Sequence, residues 1–231
     1  CGSKVGKSPS PVIAKLLQNL PWMCQNYKTG CREIKMNGED LKHHQVKCIF
    51  RQVFCPRIVC EERKVLFKDV LDHLNICLQK TMWKEKMPHE EVDKFIVWID
   101  TGLQLENDDS WAPTKLTSTC GGVFFTSKYV KNETLYVWIC LLGSSDEAKK
   151  FSVTYSVKNK VGENLIYTGP VHTLDKNYEA IITSGSLLGI GIEAVKRSLD
   201  EENGFKFEII IRNLKEEAKD EDMESGVSDG E

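Results

Sequence analysis

The chain is predicted to be an α+β protein: a cysteine-built N-terminal part with short helices, followed by an antiparallel β-sandwich. Three observations predict it. Six of the nine cysteines lie between Cys24 and Cys77, and two of them follow a histidine by four residues, in His44-x3-Cys48 and His73-x3-Cys77. Beyond residue 92 the apolar residues stop recurring at helical spacing and begin to alternate. Between these regions, 81–91 carries Pro88 and several charges and reads as a linker or hinge.

At 231 residues the chain has room for one large domain or two small ones. Its net charge of −3 conceals an asymmetry. Residues 1–80 hold fourteen Lys and Arg against seven Asp and Glu, whereas 214–231 are strongly acidic. No apolar run approaches the roughly 20 residues of a membrane helix, and no basic-then-apolar leader opens the chain. It begins at Cys1 rather than Met, so a fragment or a processed form is expected. An odd number of cysteines, clustered and offset from histidines, does not suit a disulfide framework. A reducing intracellular compartment suits it better, with the cytoplasm as the expected location and the nucleus also open. In that setting Asn132-Glu133-Thr134 reads as a turn, not a glycan acceptor.

The elements follow in order. Ser10-Pro11 starts a short helix, with Ser as N-cap and Pro at the first helical position. Ile13, Leu16, Leu17 and Leu20 form its apolar side before Pro21 ends it. From about residue 67 a second helix leads through His73 to Cys77, with Val70, Leu71, Leu74 and Leu78 along one side. Strands are expected at 95–100, 122–130, 133–142, 150–157, 163–169 and 204–211, separated by Gly, Asn, Asp and Ser turns. Six to eight such strands suggest an antiparallel sandwich. Phe151, Val153, Tyr155 and Val157 alternate with polar residues, so that strand has one wet face. The segment 135–142 is apolar on both faces, and its second face needs a helix, the cysteine region or a second copy of the chain as cover. Residues 186–199 begin like a strand and end like a helix. From residue 214 the composition is that of a disordered acidic tail.

The cysteines and histidines form two sets with metal-ligand spacing. Zinc takes four ligands in a tetrahedron, and thiolate plus imidazole suits its borderline softness. A His-x3-Cys pair on a helix delivers two ligands to one point, because residues i and i+4 share a face. The second set is Cys55, Cys60, His73 and Cys77; the first is Cys24, Cys31, His44 and Cys48. His43 adjoins His44, and His44 is preferred because it repeats the register of the second set. Gly30 permits a tight backbone approach before Cys31. Each set is complete at four ligands, so two structural zinc ions are expected, with no open catalytic position. Eight residues falling by chance into two copies of one pattern is the poorer account. So small a region builds no adequate core without metal.

Other signals are weaker. Cys140 or Cys120 could be paired with His172 as nucleophile and base, but no local motif supports either; a buried Cys is ordinarily a small hydrophobe. Gly189-Ile190-Gly191 lacks the βαβ context of a dinucleotide loop and reads as a glycine-rich strand edge. His89 reads as a linker residue. The Lys and Arg residues are dispersed, and the fingers lack the span and terminal His pair of the DNA-reading type, so nucleic acid is not the expected partner.

The helix VIAKLLQNLP, the run Cys24-x6-Cys31, His44-x3-Cys48, Cys55-x4-Cys60, His73-x3-Cys77 and the β-rich remainder resemble a seven-in-absentia-type RING E3 ubiquitin ligase. What the resemblance implies is a division into five parts. Residues 1–21 would be a RING end and linker helix, 22–80 a double zinc finger, 81–91 a linker, 92–213 a TRAF-like β-sandwich, and 214–231 an acidic tail. Cys1 would be a remnant RING zinc ligand. The resemblance further implies a homodimer, recognition of target proteins through the sandwich for ubiquitination and proteasomal degradation, and a ubiquitin-conjugating enzyme recruited only through a RING. This chain, without that RING, is expected to be inactive alone. No membrane partner is expected. A non-catalytic TRAF-like adaptor or scaffold is the alternative.

Overall fold

A computed structural model of the chain describes residues 10–18, 20–60, 63–78, 84–86, 94–100, 105–106, 110–119, 121–158, 164–199 and 204–214. These residues are α+β, with two consecutive Cys/His clusters followed by predominantly antiparallel sheets and few, short helices. They divide into two compact units. The first comprises 1–52 and 66–68; the second comprises 53–65 and 69–231.

The first unit opens with α1 (Pro11–Gln18). Val12, Ile13 and Leu16 of this helix, and Leu20 after it, are exposed. Two-residue strands β1 (Trp22–Met23) and β2 (Ile34–Lys35) pair antiparallel and bring the ends of the Cys24–Cys31 loop together. Helix α2 (Gly38–Lys47) starts at Asn37, whose side chain accepts from the Asp40 amide at 2.7 Å. The residues buried at the centre of this unit are Cys24, Cys31, Leu41 and Cys48, with Phe50 packed against them. Three of those four are thiols. A core so small cannot by itself offset the entropy of ordering the chain around it.

A short pairing of β3 (Gln52–Phe54) with β4 (Lys64–Leu66) frames the next loop. Helix α3 (Val70–Cys77) follows a 3₁₀ turn over Phe67–Asp69, so the helix expected from residue 67 tightens at its start. Val70, Leu74 and Leu78 are buried as expected. Leu71, expected on the same side, is 37% exposed. Residues 70, 74 and 78 lie four apart on one stripe, and 71 is rotated about 100° from 70 on a helix of 3.6 residues per turn.

The rest of the second unit is a two-sheet sandwich. One sheet has four antiparallel strands in the order β11 (Asn164–Pro170), β10 (Phe151–Lys158), β14 (Gly204–Asn213), β6 (Lys94–Asp100). The other runs β12 (His172–Thr173), β9 (Thr134–Leu141), β8 (Val123–Lys131), β7 (Thr114–Thr117), β5 (Lys84–Lys86), with β13 (Leu188–Gly191) also on β9. Two of its pairings, β12 with β9 and β5 with β7, are parallel. Lys84–Lys86 are thus a strand inside the segment expected as a linker. His89 lies outside the described residues. Leu135, Val137, Ile139 and Leu141 of β9 meet Val153, Tyr155 and Val157 of β10 and Phe205, Phe207 and Ile209 of β14 in one apolar core.

Strands β8 and β9 are joined by Asn132 and Glu133 alone, with φ of +50° and +58°. That is the two-residue hairpin turn whose twist matches the flanking strands. The ambiguous 186–199 segment is both things in succession: β13, then α6 (Ile192–Arg197). Two helices were not visible as periodic patterns. Helix α4 (Ser145–Ala148) is started by a capping box between Ser144 and Glu147. Helix α5 (Tyr178–Ser184) is capped by Asn177 and ended by Gly185 at φ +67°. Each is too short for a 3.6-residue period to repeat twice.

The second apolar face of β9 is covered within the chain. Trp138 and Cys140 lie on it, and they line one cavity with Tyr178 and Ile181 of α5 and with Phe54, Pro56 and Ile58 before Cys60. Two of the three expected covers, a helix and the cysteine region, are therefore both used. Two hydrogen bonds tie that region to the sandwich: the Phe54 amide donates to the Leu174 carbonyl at 2.7 Å, and the Ser127 hydroxyl to the Pro56 carbonyl at 3.1 Å.

Candidate metal centres

The first cluster gathers Cys24, Cys31, His44 and Cys48 within one small space, where every ligand atom lies within 4.8 Å of the others. Cys24 caps a 3₁₀ turn over Gln25–Thr29, and its sulfur accepts from the Asn26 amide at 3.4 Å. Gly30 then reverses the chain at φ +114°, its amide donating to the Asn26 and Tyr27 carbonyls. A β-carbon at Gly30 would come within 3.1 Å of the Phe50 ring, so both backbone conformation and space require glycine there. This turn spans the long six-residue interval and points Cys31 back at Cys24. His44 is on α2, and Cys48 is the residue just past its end. His43 points elsewhere, to Lys47 Nζ at 3.2 Å.

The second cluster gathers Cys55, Cys60, His73 and Cys77 on the same criterion. The Cys55 amide donates to the Arg63 carbonyl at 3.0 Å and the Cys60 amide to the Arg57 carbonyl at 3.2 Å, which folds the intervening residues into a knuckle. His73 and Cys77 face it from one side of α3. One contact had no sequence signal. The Arg57 guanidinium donates to the Cys77 carbonyl and to Cys77 Sγ, the latter at 3.6 Å.

The spacing tests whether zinc fits. With Zn–S near 2.3 Å and Zn–N near 2.05 Å, tetrahedral geometry requires S···S edges of about 3.8 Å and S···N edges of about 3.5 Å. The first cluster has Cys24 Sγ to Cys48 Sγ at 3.8 Å and Cys31 Sγ to His44 Nε2 at 3.3 Å. The second has Cys60 Sγ to Cys77 Sγ at 3.5 Å, with His73 Nε2 at 3.3 Å from both Cys60 Sγ and Cys55 Sγ. The edges match. Both donor sets are soft sulfur plus imidazole, the preference of zinc, and both are complete at four ligands.

The electrostatics point the same way. Burial, with neighbouring Cys48 and Cys24, pushes the Cys31 thiol up to about 11 against a lowering backbone hydrogen bond at Glu33. Burial and the nearby Cys60 and Cys77 sulfurs push Cys55 well above its usual range. Burial also raises Cys48, but hydrogen bonding with Asn26, the Phe50 backbone, Cys31 and Cys24 outweighs it and brings the thiol below its usual value. Packed thiols resist ionising together unless a cation compensates them, and a bound metal ion deprotonates its thiol ligands.

Cys140 and His172 are register partners on β9 and β12, yet they make no dyad. Burial pushes the Cys140 thiol up to about 12, and His172 Nε2 is engaged with the Ser186 carbonyl at 2.7 Å. Cys1 and Cys120 lie outside the described residues.

Two consecutive Cys3His clusters followed by antiparallel sheets define a zinc-binding α+β protein, with two zinc ions as its implied cofactors. No family model matches the chain. It is similar to "E3 ubiquitin-protein ligase SINA-like 7" of Arabidopsis thaliana, 24% identical over 173 residues that cover 74% of this chain and 56% of that protein. The chain thus matches just over half the length of this relative. The comparison and the paired clusters together support the seven-in-absentia-type resemblance, as a zinc protein distantly related to that ligase.

Proposed function

We propose that this chain is the target-recognising portion of a RING-type ubiquitin ligase of the seven-in-absentia type. The observation that carries the reading is the order of parts: two Cys3His clusters followed by the sandwich, in a chain similar over 74% of its length to a protein named as a SINA-like E3 ubiquitin-protein ligase. In this reading the zincs are scaffolding, and the TRAF-like sandwich holds target proteins for ubiquitination and proteasomal degradation. Contact with a ubiquitin-conjugating enzyme belongs to a RING, for which Cys1 is the candidate remnant. The working form is a homodimer in the cytoplasm or nucleus.

The test is a protein-turnover comparison. Proteins that co-purify with the zinc-loaded chain should show longer half-lives when the parent gene is deleted, and excess of this chain alone should protect them in the same way. Partners with unchanged half-lives would overturn the ligase reading in favour of an adaptor. Salt-sensitive retention on DNA or RNA as the main binding activity would overturn both.

A further inference from the structure

The knuckle of the second metal site and the outer face of the six-stranded sheet enclose a cavity of about 60 Å³. Trp138, Cys140, Leu174 and Ile181 make its buried apolar walls. Burial leaves the Cys140 thiol protonated, so it contributes apolar surface rather than a nucleophile. Among the described residues, three cations, Arg57, Arg63 and Lys176, also line the cavity, against one carboxylate, Glu179. Arg63, Lys176 and Glu179 are exposed and form the mouth.

Size and charge narrow the ligand. At about 10–15 Å³ for each water-sized atom, the space takes roughly four to six heavy atoms, a range that includes the four of a leucine or methionine side chain. A nucleotide base is larger than that, and an uncharged small molecule makes no use of a cationic mouth. A ligand that uses both features carries one short apolar side chain flanked by carboxylates. An apolar anchor in a desolvated pocket supplies affinity, while rim charges set the encounter rate and the choice of partner.

We propose that this cavity is a docking site for an acidic peptide segment of a partner protein, whose single leucine- or methionine-sized side chain enters beside Trp138 and Ile181 while its carboxylates face Arg63 and Lys176. The site uses neither a metal ligand's chemistry nor ubiquitin transfer. It goes beyond the ligase reading and stands or falls separately from it.

The experiment is fluorescence anisotropy with the zinc-loaded chain and three labelled peptides, DEDLED, DEDAED and KRKLKR. DEDLED should bind at least about tenfold more tightly than DEDAED, since a filled apolar pocket is lost with the leucine. KRKLKR should not bind. The double variant Arg63→Glu, Lys176→Glu changes only exposed side chains, and it should weaken DEDLED about tenfold or more with unchanged circular dichroism and zinc content. Equal binding of DEDLED and DEDAED, or full binding by the double variant, overturns the proposal. The chain's own segment 216–224, EEAKDEDME, has the same chemistry. Binding seen only after removal of residues 215–231 would make that segment the occupant and overturn a partner in its place.

Discussion

The Arg57 guanidinium reaches across the second metal site to Cys77, donating to its carbonyl and, at 3.6 Å, to its sulfur. It therefore holds both the end of α3 and one of the four ligands. A group that orients a ligand and hydrogen-bonds its thiolate tunes the metal without touching it. Arg57→Ala should weaken zinc at the second site about 10- to 100-fold and leave the first site unchanged. Chelator competition on the purified chain checks this. Release of both zincs with unaltered affinity would show that the contact is incidental.

The metal dependence of the two units should differ. Among the described residues of the first unit, Cys24, Cys31 and Cys48 are three of the four in its buried core cluster, so the metal is most of what holds it together. The sandwich has its own apolar core of phenylalanine, valine, leucine and isoleucine. Elemental analysis of fresh reduced protein should return two zincs per chain. Cys48→Ser should expose residues 20–50 to protease while the β-type circular dichroism persists. Cys55→Ser or His73→Ala should instead unfold the region 50–80. One zinc or none in the unmodified chain would contradict the assignment.

Gly30 combines a positive φ with a close neighbour, Phe50. Gly30→Ala adds a left-handed penalty of about 1–2 kcal/mol to that crowding. The first site should lose its metal at a lower chelator concentration, and the melting transition of that unit should fall. An unchanged transition would mean that the turn tolerates a β-carbon.

The hairpin between β8 and β9 offers a change in the other direction. Glu133 sits at φ +58°, where a non-glycine side chain is strained. Its backbone carbonyl accepts from the Ile192 amide at 2.9 Å, a bond any residue can supply. Glu133→Gly converts the turn to Asn-Gly, the preferred pair for this geometry, and should stabilise the sandwich by about 0.5–1 kcal/mol. Denaturant unfolding measures it; a lower midpoint would show that the glutamate side chain contributes more than its backbone costs.

Much of this was legible in the chain before any coordinates, and for local reasons. Ligand spacing is a short-range property, so His44 with Cys48 and His73 with Cys77 could be paired by counting along a helix. The alternating runs at 151–158 and 204–213 declared themselves because each buries mainly one face, and burial on one face writes a period of two into the residues. What counting could not reach were contacts between residues far apart in sequence. The Ser127 hydroxyl meets the Pro56 carbonyl across 71 positions, and the Phe54 amide meets the Leu174 carbonyl across a longer interval. These contacts cover the second apolar face of β9, which by itself was equally compatible with a helix, the metal region or another copy of the chain. Composition shows that a face must be buried; only the tertiary fold selects the surface that buries it, because the hydrophobic effect rewards area removed from water whatever removes it.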